Sequence, residues 1–325
     1  MAEYTLLLGA VAPIFLLILL GFSFRRAGLL TPEADNALLR INFNVFYPCF
    51  IFYRVLGNEA LKDVRNLVIA PIVGFVIIVV GFGLCYLVAR ISGLKDGVER
   101  RTFAFTTAIP NYGYLPIPLA QRFFSPEVLG VLFLFNLGVE VAMWTIGVIL
   151  LSGGAGENAW KKVINGPSVT VVAALICNGF GMSHLPLPLG QTVKMLGECS
   201  IPFGLLLVGA VMSDLAHKLD FVKNWNVALS SSLMRMGLLS AATFALAAFL
   251  PGATQELRQV LLLQGSMPCA VVPVVMARMY KASEAIAIQV VFATTAVGLF
   301  LIPLLIKLGA WYIGHWHEGF VNLIK

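Results

Sequence analysis

Uncharged apolar runs of about 20 residues recur from one end of the chain to the other, separated by short polar connections. A run of this length can cross the hydrocarbon core of a bilayer as a helix. No polar stretch is long enough for a separate soluble domain, so we expect one all-α polytopic membrane unit. The pattern predicts ten transmembrane helices, at Tyr4–Phe24, Ala37–Leu56, Leu67–Ala89, Thr102–Phe123, Val128–Leu151, Pro167–Met182, Leu189–Ser213, Ala228–Leu250, Leu257–Met279 and Ala285–Leu308.

The composition agrees with this class, because 59% of the residues are hydrophobic and 12% are charged, whereas soluble domains carry about 25% charged residues. The first run lacks a positive segment before it and is followed by Arg25 and Arg26, so we interpret it as a retained helix. The net charge of +6 does not indicate nucleic acid, since the basic residues lie between apolar runs. The five scattered cysteines are expected to be buried thiols.

Lys and Arg are distributed unevenly among the connections between the predicted spans. Loops that are rich in these residues stay in the cytoplasm. We therefore predict a multi-pass protein of the plasma (inner) membrane with cytoplasmic odd-numbered connections and both termini outside the cytoplasm. The odd-numbered connections hold twelve, Arg25, Arg26, Arg90, Lys95, Arg100, Arg101, Lys161, Lys162, Lys218, Lys223, Arg278 and Lys281, and the even-numbered ones hold four, Lys62, Arg65, Arg122 and Arg258.

A weak internal duplication is visible in the spacing of prolines. Pro13 and Pro48 are 35 residues apart, as are Pro167 and Pro202. The segment around Pro110 also resembles the later Ser266-Met267-Pro268. The spacing predicts two five-helix repeats, residues 1–152 and 165–325, and an odd number of helices per repeat makes their topologies opposite. The alternative is chance, because prolines are common in membrane helices.

The fourth and ninth predicted spans each contain a group of helix-breaking residues. Proline removes a backbone donor and clashes with the preceding turn, so we expect both spans to be interrupted. Interrupted backbone is tolerated only inside protein or beside a watery cavity, and the N-termini of half-helices attract anions. The breaking residues are Pro110, Gly113, Pro116 and Pro118 in the fourth span, and Pro268 and Pro273 in the ninth.

Polar residues inside the spans complete the predicted substrate site. Asn111 lies in the first interruption, where its amide is expected to contact a carboxylate or to cap a half-helix. Glu140, one helical turn after Asn136, is a candidate proton carrier, unless it simply reaches water at the span's end. Glu198 and Arg235 are each expected to pair with a residue of opposite charge in a structural role. The predicted substrate-binding residues are Pro110, Asn111, Tyr112, Gly113, Pro116, Pro118, Asn136, Glu140, Ser266, Pro268, Cys269 and Pro273.

No pattern in the chain favours an enzyme, a metal site or a cofactor. The sequence contains no His-Glu-x-x-His motif and no phosphate-binding loop. His315 and His317 form a weak metal-binding pattern near the end of the chain. We therefore expect no catalytic residues, no metal and no cofactor.

Two proline segments resemble a known family. Ile109-Pro110-Asn111 followed by Ile117-Pro118-Leu119 is similar to the Leu-Pro-Asn and Gly-Ile-Pro-Leu pieces of the plant PIN auxin carriers, and the 267–273 segment is similar to their second crossover helix. The whole chain resembles bacterial members of the auxin efflux carrier family. It departs from the family pattern in the additional Pro116, in Cys269 and in its short central loop.

The resemblance implies a fold like that of Na⁺/H⁺ antiporters and bile-acid symporters, with crossed broken helices four and nine. Helices 1, 2, 6 and 7 would form a scaffold, and helices 3–5 and 8–10 a transport domain that moves like an elevator. It also implies a homodimer through the scaffold, and carboxylate substrates such as malate, malonate or auxin-like acids.

The sequence thus predicts a secondary transporter of small organic anions in the lipid bilayer. One alternative is a proton- or Na⁺-coupled symporter or exchanger of the same fold, in which Glu140 or Glu198 carries the coupling charge. The other alternative is a membrane receptor or sensor that binds its ligand without translocating it.

Overall fold

The computed structural model describes residues 2–94, 97–154, 161, 163–216 and 225–317. Within these residues the chain is helical, with a single isolated β-bridge and no strand. The predicted cytoplasmic residues Lys95, Lys162, Lys218 and Lys223, and the last eight residues of the predicted second repeat, lie outside the described residues.

The helices follow the predicted apolar runs closely. They are α1 (Ala2–Arg26), α2 (Pro32–Ile41), α3 (Tyr47–Val55), α4 (Val64–Ile91), α5 (Gly97–Ala108), α6 (Pro116–Phe123), α7 (Glu127–Ala142), α8 (Val148–Ser152), α9 (Gly166–Gly179), α10 (Leu187–Glu198), α11 (Ser200–Ala216), α12 (Trp225–Leu233), α13 (Leu239–Phe249), α14 (Gln255–Gly265), α15 (Val272–Met279) and α16 (Glu284–Trp316). Single π-helical turns at Asn42–Phe46, Met143–Gly147 and Met234–Leu238 join α2 to α3, α7 to α8 and α12 to α13.

Six described helical stretches are long and apolar enough to cross a membrane. They are Leu7–Arg26, Val64–Ile91, Glu127–Ser152, Leu187–Ala216, Trp225–Phe249 and Glu284–Trp316. The predicted second span overlaps α2, which starts earlier, at Pro32, and carries Glu33, Asp35 and Arg40. The sixth is the short helix α9, and the fourth and ninth are each divided into two short helices. The predicted multi-pass helical class is confirmed, and the count of ten spans stays a prediction.

Several helices begin at side chains that bond their free N–H groups. Asn165 accepts from the Ser168 N–H at 2.9 Å to start α9, and Thr254 accepts from the Leu257 N–H at 3.2 Å to start α14. Asp63 does the same for α4, and hydrogen bonds from Arg65 hold the pKa of the Asp63 carboxyl below its usual value. These caps fix where α4, α9 and α14 begin.

Two helix pairs pack with their backbones almost in contact. A Cβ atom on Gly209 of α11 would lie 1.9 Å from the Ile18 carbonyl oxygen of α1. A Cβ on Gly138 of α7 would lie 1.8 Å from the Pro71 carbonyl oxygen of α4. Only glycine fits these positions, so α1 lies against α11 and α4 lies against α7.

Most of the remaining contacts fall within two groups of helices, although α1 also packs against α16 and α3 against α7. α3 packs against α9 and α10, and α1 packs along α11. α5, α7, α12, α13 and α14 pack against one another, against α4 or against α16. The segments 111–114 and 270–271 lie where the second group meets the turn Asn42–Phe46, α3, α9 and α11.

Candidate functional site

The two predicted interruptions are present and touch each other. α5 ends at Ala108 and α6 begins at Pro116, while α14 ends at Gly265 and α15 begins at Val272. The Asn111 N–H donates to the Pro268 carbonyl at 2.7 Å, and the Ala270 N–H donates to the Ile109 carbonyl at 3.1 Å. Pro110 and Cys269 thereby form the isolated antiparallel bridge. Each break satisfies part of the other's freed backbone, as buried irregular chain requires.

The start of α6 presents backbone donors. Leu115 N–H reaches the Asn111 side-chain oxygen at 3.4 Å, so Asn111 caps this half-helix. The backbone N–H groups of Tyr112, Gly113 and Tyr114 have no acceptor among the described residues. Unpaired N–H groups at a helix N-terminus favour an anion, since they carry partial positive charge.

We call the place where residues 109–111 and 268–270 are hydrogen-bonded to each other the crossing. A cavity of about 120 Å³ lies beside it. Its polar groups are Asn111, Asn136, Glu140, Ser168 and the hydroxyls of three tyrosines, and no lysine or arginine is among the described residues that line it. Most of the wall is aromatic or aliphatic. The lining residues are Phe43, Tyr47, Ile51, Asn111, Tyr112, Gly113, Tyr114, Phe133, Asn136, Leu137, Glu140, Pro167, Ser168, Val171, Val208, Ala270, Val271 and Val272.

The Glu140 carboxylate is held by three neutral donors. It accepts from the Tyr112 hydroxyl at 2.6 Å, the Trp144 indole N–H at 2.8 Å and the Asn165 amide at 3.3 Å. No lysine or arginine of the described residues lies within ion-pair distance of it. Within the described residues, the carboxylate therefore bonds to neutral donors and not to a cation.

A wider pocket of about 400 Å³ adjoins the cavity. The two share Phe43, Tyr112, Glu140 and Val272, and the wider pocket adds Met143, Trp144, Lys161, Ile164 and Asn165. Lys161 is exposed and belongs to the connection between α8 and α9 that the charge distribution predicts to be cytoplasmic. Glu140 consequently stands between the small cavity and this wider pocket.

An amide network borders the cavity. The Asn136 amide donates to the Tyr112 carbonyl at 2.9 Å, and the Gln264 amide reaches the same carbonyl at 3.3 Å and the Asn136 side-chain oxygen at 3.4 Å. Asn136 and Gln264 are buried. They join α7 and α14 to the first break and hold Tyr112 toward Glu140.

Tyr114 connects the crossing to the other group of helices. Its ring lies against Gly204 of α11, where a Cβ would be 1.9 Å from Tyr114 Cε1. The Asn42 amide donates to its hydroxyl oxygen at 3.0 Å, and its ring centroid is 6.1 Å from that of Tyr47. Tyr114 is therefore the first break's main contact with α11 and the α2–α3 segment.

Five of the predicted site residues line the cavity together: Asn111, Tyr112, Gly113, Asn136 and Glu140. The others do not line it. Pro110, Ser266, Pro268 and Cys269 are buried in or beside the crossing, Pro116, Pro118 and Pro273 lie in the first turns of α6 and α15, and Pro118 borders a separate pocket against α1 and α11.

Two of these buried side chains bond to backbone instead of facing the cavity. The Ser266 hydroxyl donates to the Leu262 carbonyl at 2.8 Å, and the Cys269 thiol donates to the Thr107 carbonyl at 3.6 Å. Within the described residues no group of three or more potential metal ligands was found. His317 Nε2 lies 2.8 Å from the Ala248 carbonyl oxygen.

Sequence reasoning missed the contributions of Tyr47, Tyr114, Ser168 and Gln264. Tyr114 lies within the predicted break, and Tyr47 directly precedes Pro48, one of the repeat prolines, so both lie beside prolines that the sequence analysis singled out. Ser168 follows Pro167, one of the repeat prolines. Gln264 carried a signal that was overlooked, namely an uncharged amide near the middle of an apolar span.

Comparison with known proteins places the chain among membrane transporters. A family described as membrane transport protein matches residues 6–170 and 160–306. An uncharacterized transporter of Methanothermobacter thermautotrophicus is 25% identical over 304 residues, covering 90% of this chain and 95% of its own length. An uncharacterized transporter of Methanocaldococcus jannaschii is 24% identical over 298 residues, with the same coverage of each chain. The chain therefore belongs to this membrane transport protein family, the auxin efflux carrier family.

Proposed function

We propose that the protein is a secondary transporter of small organic anions that works by alternating access. Family membership makes it a membrane transporter and implies transport rather than catalysis. The observation that carries the anion assignment is the set of unpaired N–H groups of Tyr112, Gly113 and Tyr114 at the start of α6, in residues that line the cavity. Backbone donors at a half-helix N-terminus are the transporter's means of binding a carboxylate.

The size of the cavity and the chemistry of its lining favour one class of organic anion. A cavity of about 120 Å³ holds on the order of ten water-sized groups. Because its wall is mainly aromatic and aliphatic and its ionisable side chains are one carboxyl and tyrosine hydroxyls, a second carboxylate on the substrate would be buried without a cation. This supports a monocarboxylate with an apolar body over malate or malonate.

An elevator motion of α4–α8 and α12–α16 against α1–α3 and α9–α11 would keep the contacts within each group and would break those of α1 with α16 and of α3 with α7. The wider pocket at Lys161 leads to the cavity from the predicted cytoplasmic side, which supports an inward-open state. In the opposite state, Tyr114 would leave its seat on Gly204 as the crossing slides past α11.

The anion site is tested by a substitution that adds charge without changing shape. Asn111→Asp keeps the side-chain oxygen that caps α6 but places a carboxylate beside the N–H groups. We expect monocarboxylate affinity to fall at least about ten-fold, since like charges repel strongly at low dielectric. The matched control is Asn226→Asp, which makes the same charge change at an exposed position at the start of α12.

The measurement is a binding titration on purified protein with aromatic and aliphatic monocarboxylates, malate and malonate, followed by flux in sealed vesicles. Unchanged affinity in the Asn111 variant would show that the anion does not bind at the start of α6. Saturable binding with no flux would identify the protein as a receptor or sensor instead.

A second candidate function, proton coupling, is favoured by the position of Glu140. The carboxyl contacts only neutral donors and stands between the cavity and the wider pocket. If it carries the proton, an imposed pH gradient should drive substrate accumulation, and Glu140→Gln should abolish that dependence while leaving exchange at zero gradient. A wild-type flux that does not respond to the gradient would exclude this coupling.

We also propose that the transporter lies in the plasma (inner) membrane with both termini outside the cytoplasm, and that it dimerises through the scaffold helices. Exposed apolar side chains on α1 and α9, such as Leu19 and Val172, are available to lipid or to a second copy. Labelling of single cysteines from each side of the membrane and cross-linking across α9 test these two points.

A further inference from the structure

Arg235 is a buried cation at the junction of the two broken helices. It lies in the π-helical turn Met234–Leu238 and is 2% exposed. Its guanidinium donates to three backbone carbonyls, from Nε to Met267 at 3.0 Å, from Nη2 to Gln264 at 3.0 Å and from Nη1 to Ala108 at 3.3 Å. The sequence led us to expect a structural pair with an acidic group, but no carboxylate of the described residues forms an ion pair with Arg235.

The three carbonyls belong to the negative ends of two half-helices. Ala108 is the last residue of α5, Gln264 is the penultimate residue of α14, and Met267 follows in the second break. The C-terminus of each helix carries about half an elementary negative charge from its unpaired carbonyls. Two such ends converge here in a buried region, so a positive charge between them is strongly favoured.

Other protein groups form hydrogen bonds with the backbone of the second break at this junction. The Ser240 hydroxyl donates to the Gly265 carbonyl at 2.6 Å, and the Cys269 N–H donates to the Thr294 hydroxyl oxygen at 3.2 Å. The carbonyls of residues 264, 265 and 267 are therefore all bonded to groups of the protein itself. In cation-coupled carriers, unwound carbonyls and half-helix C-terminal ends of this kind hold the dissociable ion.

We propose that Arg235 is a permanent counter-cation that occupies the place of a dissociable coupling ion, so that transport does not draw on a Na⁺ gradient. The inference rests on the proposed transport function and goes beyond it by assigning the charge balance of the crossing. Arg235 is a positioning residue, because it acts by holding the ends of α5 and α14 together. Arginine is suited to this task because its planar group keeps its charge and offers five donors, whereas lysine offers a single ammonium.

The first experiment needs no transport. Wild-type protein and Arg235→Ala are purified, and their melting temperatures are measured in choline chloride, NaCl and guanidinium chloride at low millimolar concentration. We expect the wild type to be indifferent to the cation. We expect Arg235→Ala to melt lower and to recover at least half of the loss with guanidinium, which replaces the missing group in its cavity.

The matched control is Arg258→Ala. Arg258 also donates to backbone carbonyls, those of Ala247, Ala248 and Leu250 at the end of α13, but it is not at the crossing. It should lose stability without recovery by guanidinium, since Arg258 is only partly buried and its site is open to water. An equal recovery of melting temperature in both variants, or no recovery in Arg235→Ala, would overturn the proposed role of Arg235.

The second experiment measures uptake of a bound monocarboxylate into vesicles with a Na⁺ gradient or with choline in its place. Wild-type uptake should agree within about two-fold between the two conditions, and Arg235→Lys should be at least several-fold slower in both. A wild type that accumulates substrate only with the Na⁺ gradient would refute the inference, whatever the variants do. If no carboxylate is transported at all, the proposed function fails, and the melting experiment still decides the role of Arg235.

Discussion

The packing of the Tyr114 ring against Gly204 offers the sharpest test of how the crossing contacts α11. In Gly204→Ala, the new methyl group would lie 1.9 Å from Cε1, 2.4 Å from Cδ1 and 2.6 Å from Cζ of the Tyr114 ring. An ordinary carbon–carbon contact is about 3.5–4.0 Å. The ring must therefore move by more than an ångström, and it would lose the 3.0 Å hydrogen bond from Asn42.

The cost follows from measured effects of overpacking. Extra methyl groups in packed cores cost roughly 1–3 kcal/mol, and a shift of about 2 kcal/mol changes a conformational equilibrium some thirty-fold. Because Tyr114 is seated in this state, Gly204→Ala should depopulate it relative to a state in which the crossing has moved. We expect a lower melting temperature of the purified protein and altered flux in vesicles.

A double-mutant cycle identifies the contact responsible. Tyr114→Ala removes the ring, so Gly204→Ala should cost little more in that background, and the two effects should differ from additivity by at least about 1 kcal/mol. Additive effects, or an alanine at position 204 that leaves melting and flux unchanged, would show that the ring does not rest on this glycine.

Three further substitutions test the packing and capping described above. Gly138→Ala should destabilise the protein by roughly 1–3 kcal/mol through its contact with the backbone of α4, whereas Gly83→Ala, which meets nothing within 4 Å, should be neutral or slightly stabilising in the same melting assay. Asn165→Ala should cost about 1 kcal/mol through loss of the α9 cap, and Asn165→Ser, which keeps a capping oxygen without adding charge beside Glu140, should cost less. Asp63→Asn should reduce stability at neutral pH and leave stability in acid unchanged. Because folding lowers the pKa of Asp63, its carboxylate stabilises the fold at pH values above its unfolded-state pKa, and this stabilisation is lost as the pH falls below about 4.

Much of the helical framework could be predicted because its causes are local. Apolar runs set the lengths of helices such as α4 and α16, and prolines at 110, 116 and 268 marked both interruptions, since proline excludes a continuous helix whatever its neighbours are. Helix ends differ by several residues where polar residues extend a helix beyond the apolar run. The second span, for example, begins at Pro32 and includes charged residues that the apolar pattern omitted.

The site was harder to predict because its contacts join distant parts of the chain. Asn111, Asn136 and Glu140 were found from their polarity inside apolar spans, but nothing local indicates that Tyr47 lies 6.1 Å from Tyr114. Arg235 shows the same limit, since an intramembrane arginine suggests an acidic partner, and carbonyl partners 29 to 127 residues away become evident only in the fold.

The two breaks are joined by main-chain hydrogen bonds between residues 109–111 and 268–270, and main-chain bonds do not depend on which side chains are present. Evolution can therefore replace the side chains that project from these loops, such as Tyr112 or Val271, without separating the loops. A lineage could acquire new cargo through a few substitutions on an unchanged frame. Diversification of this kind would leave sequence identity low while the crossing itself persists.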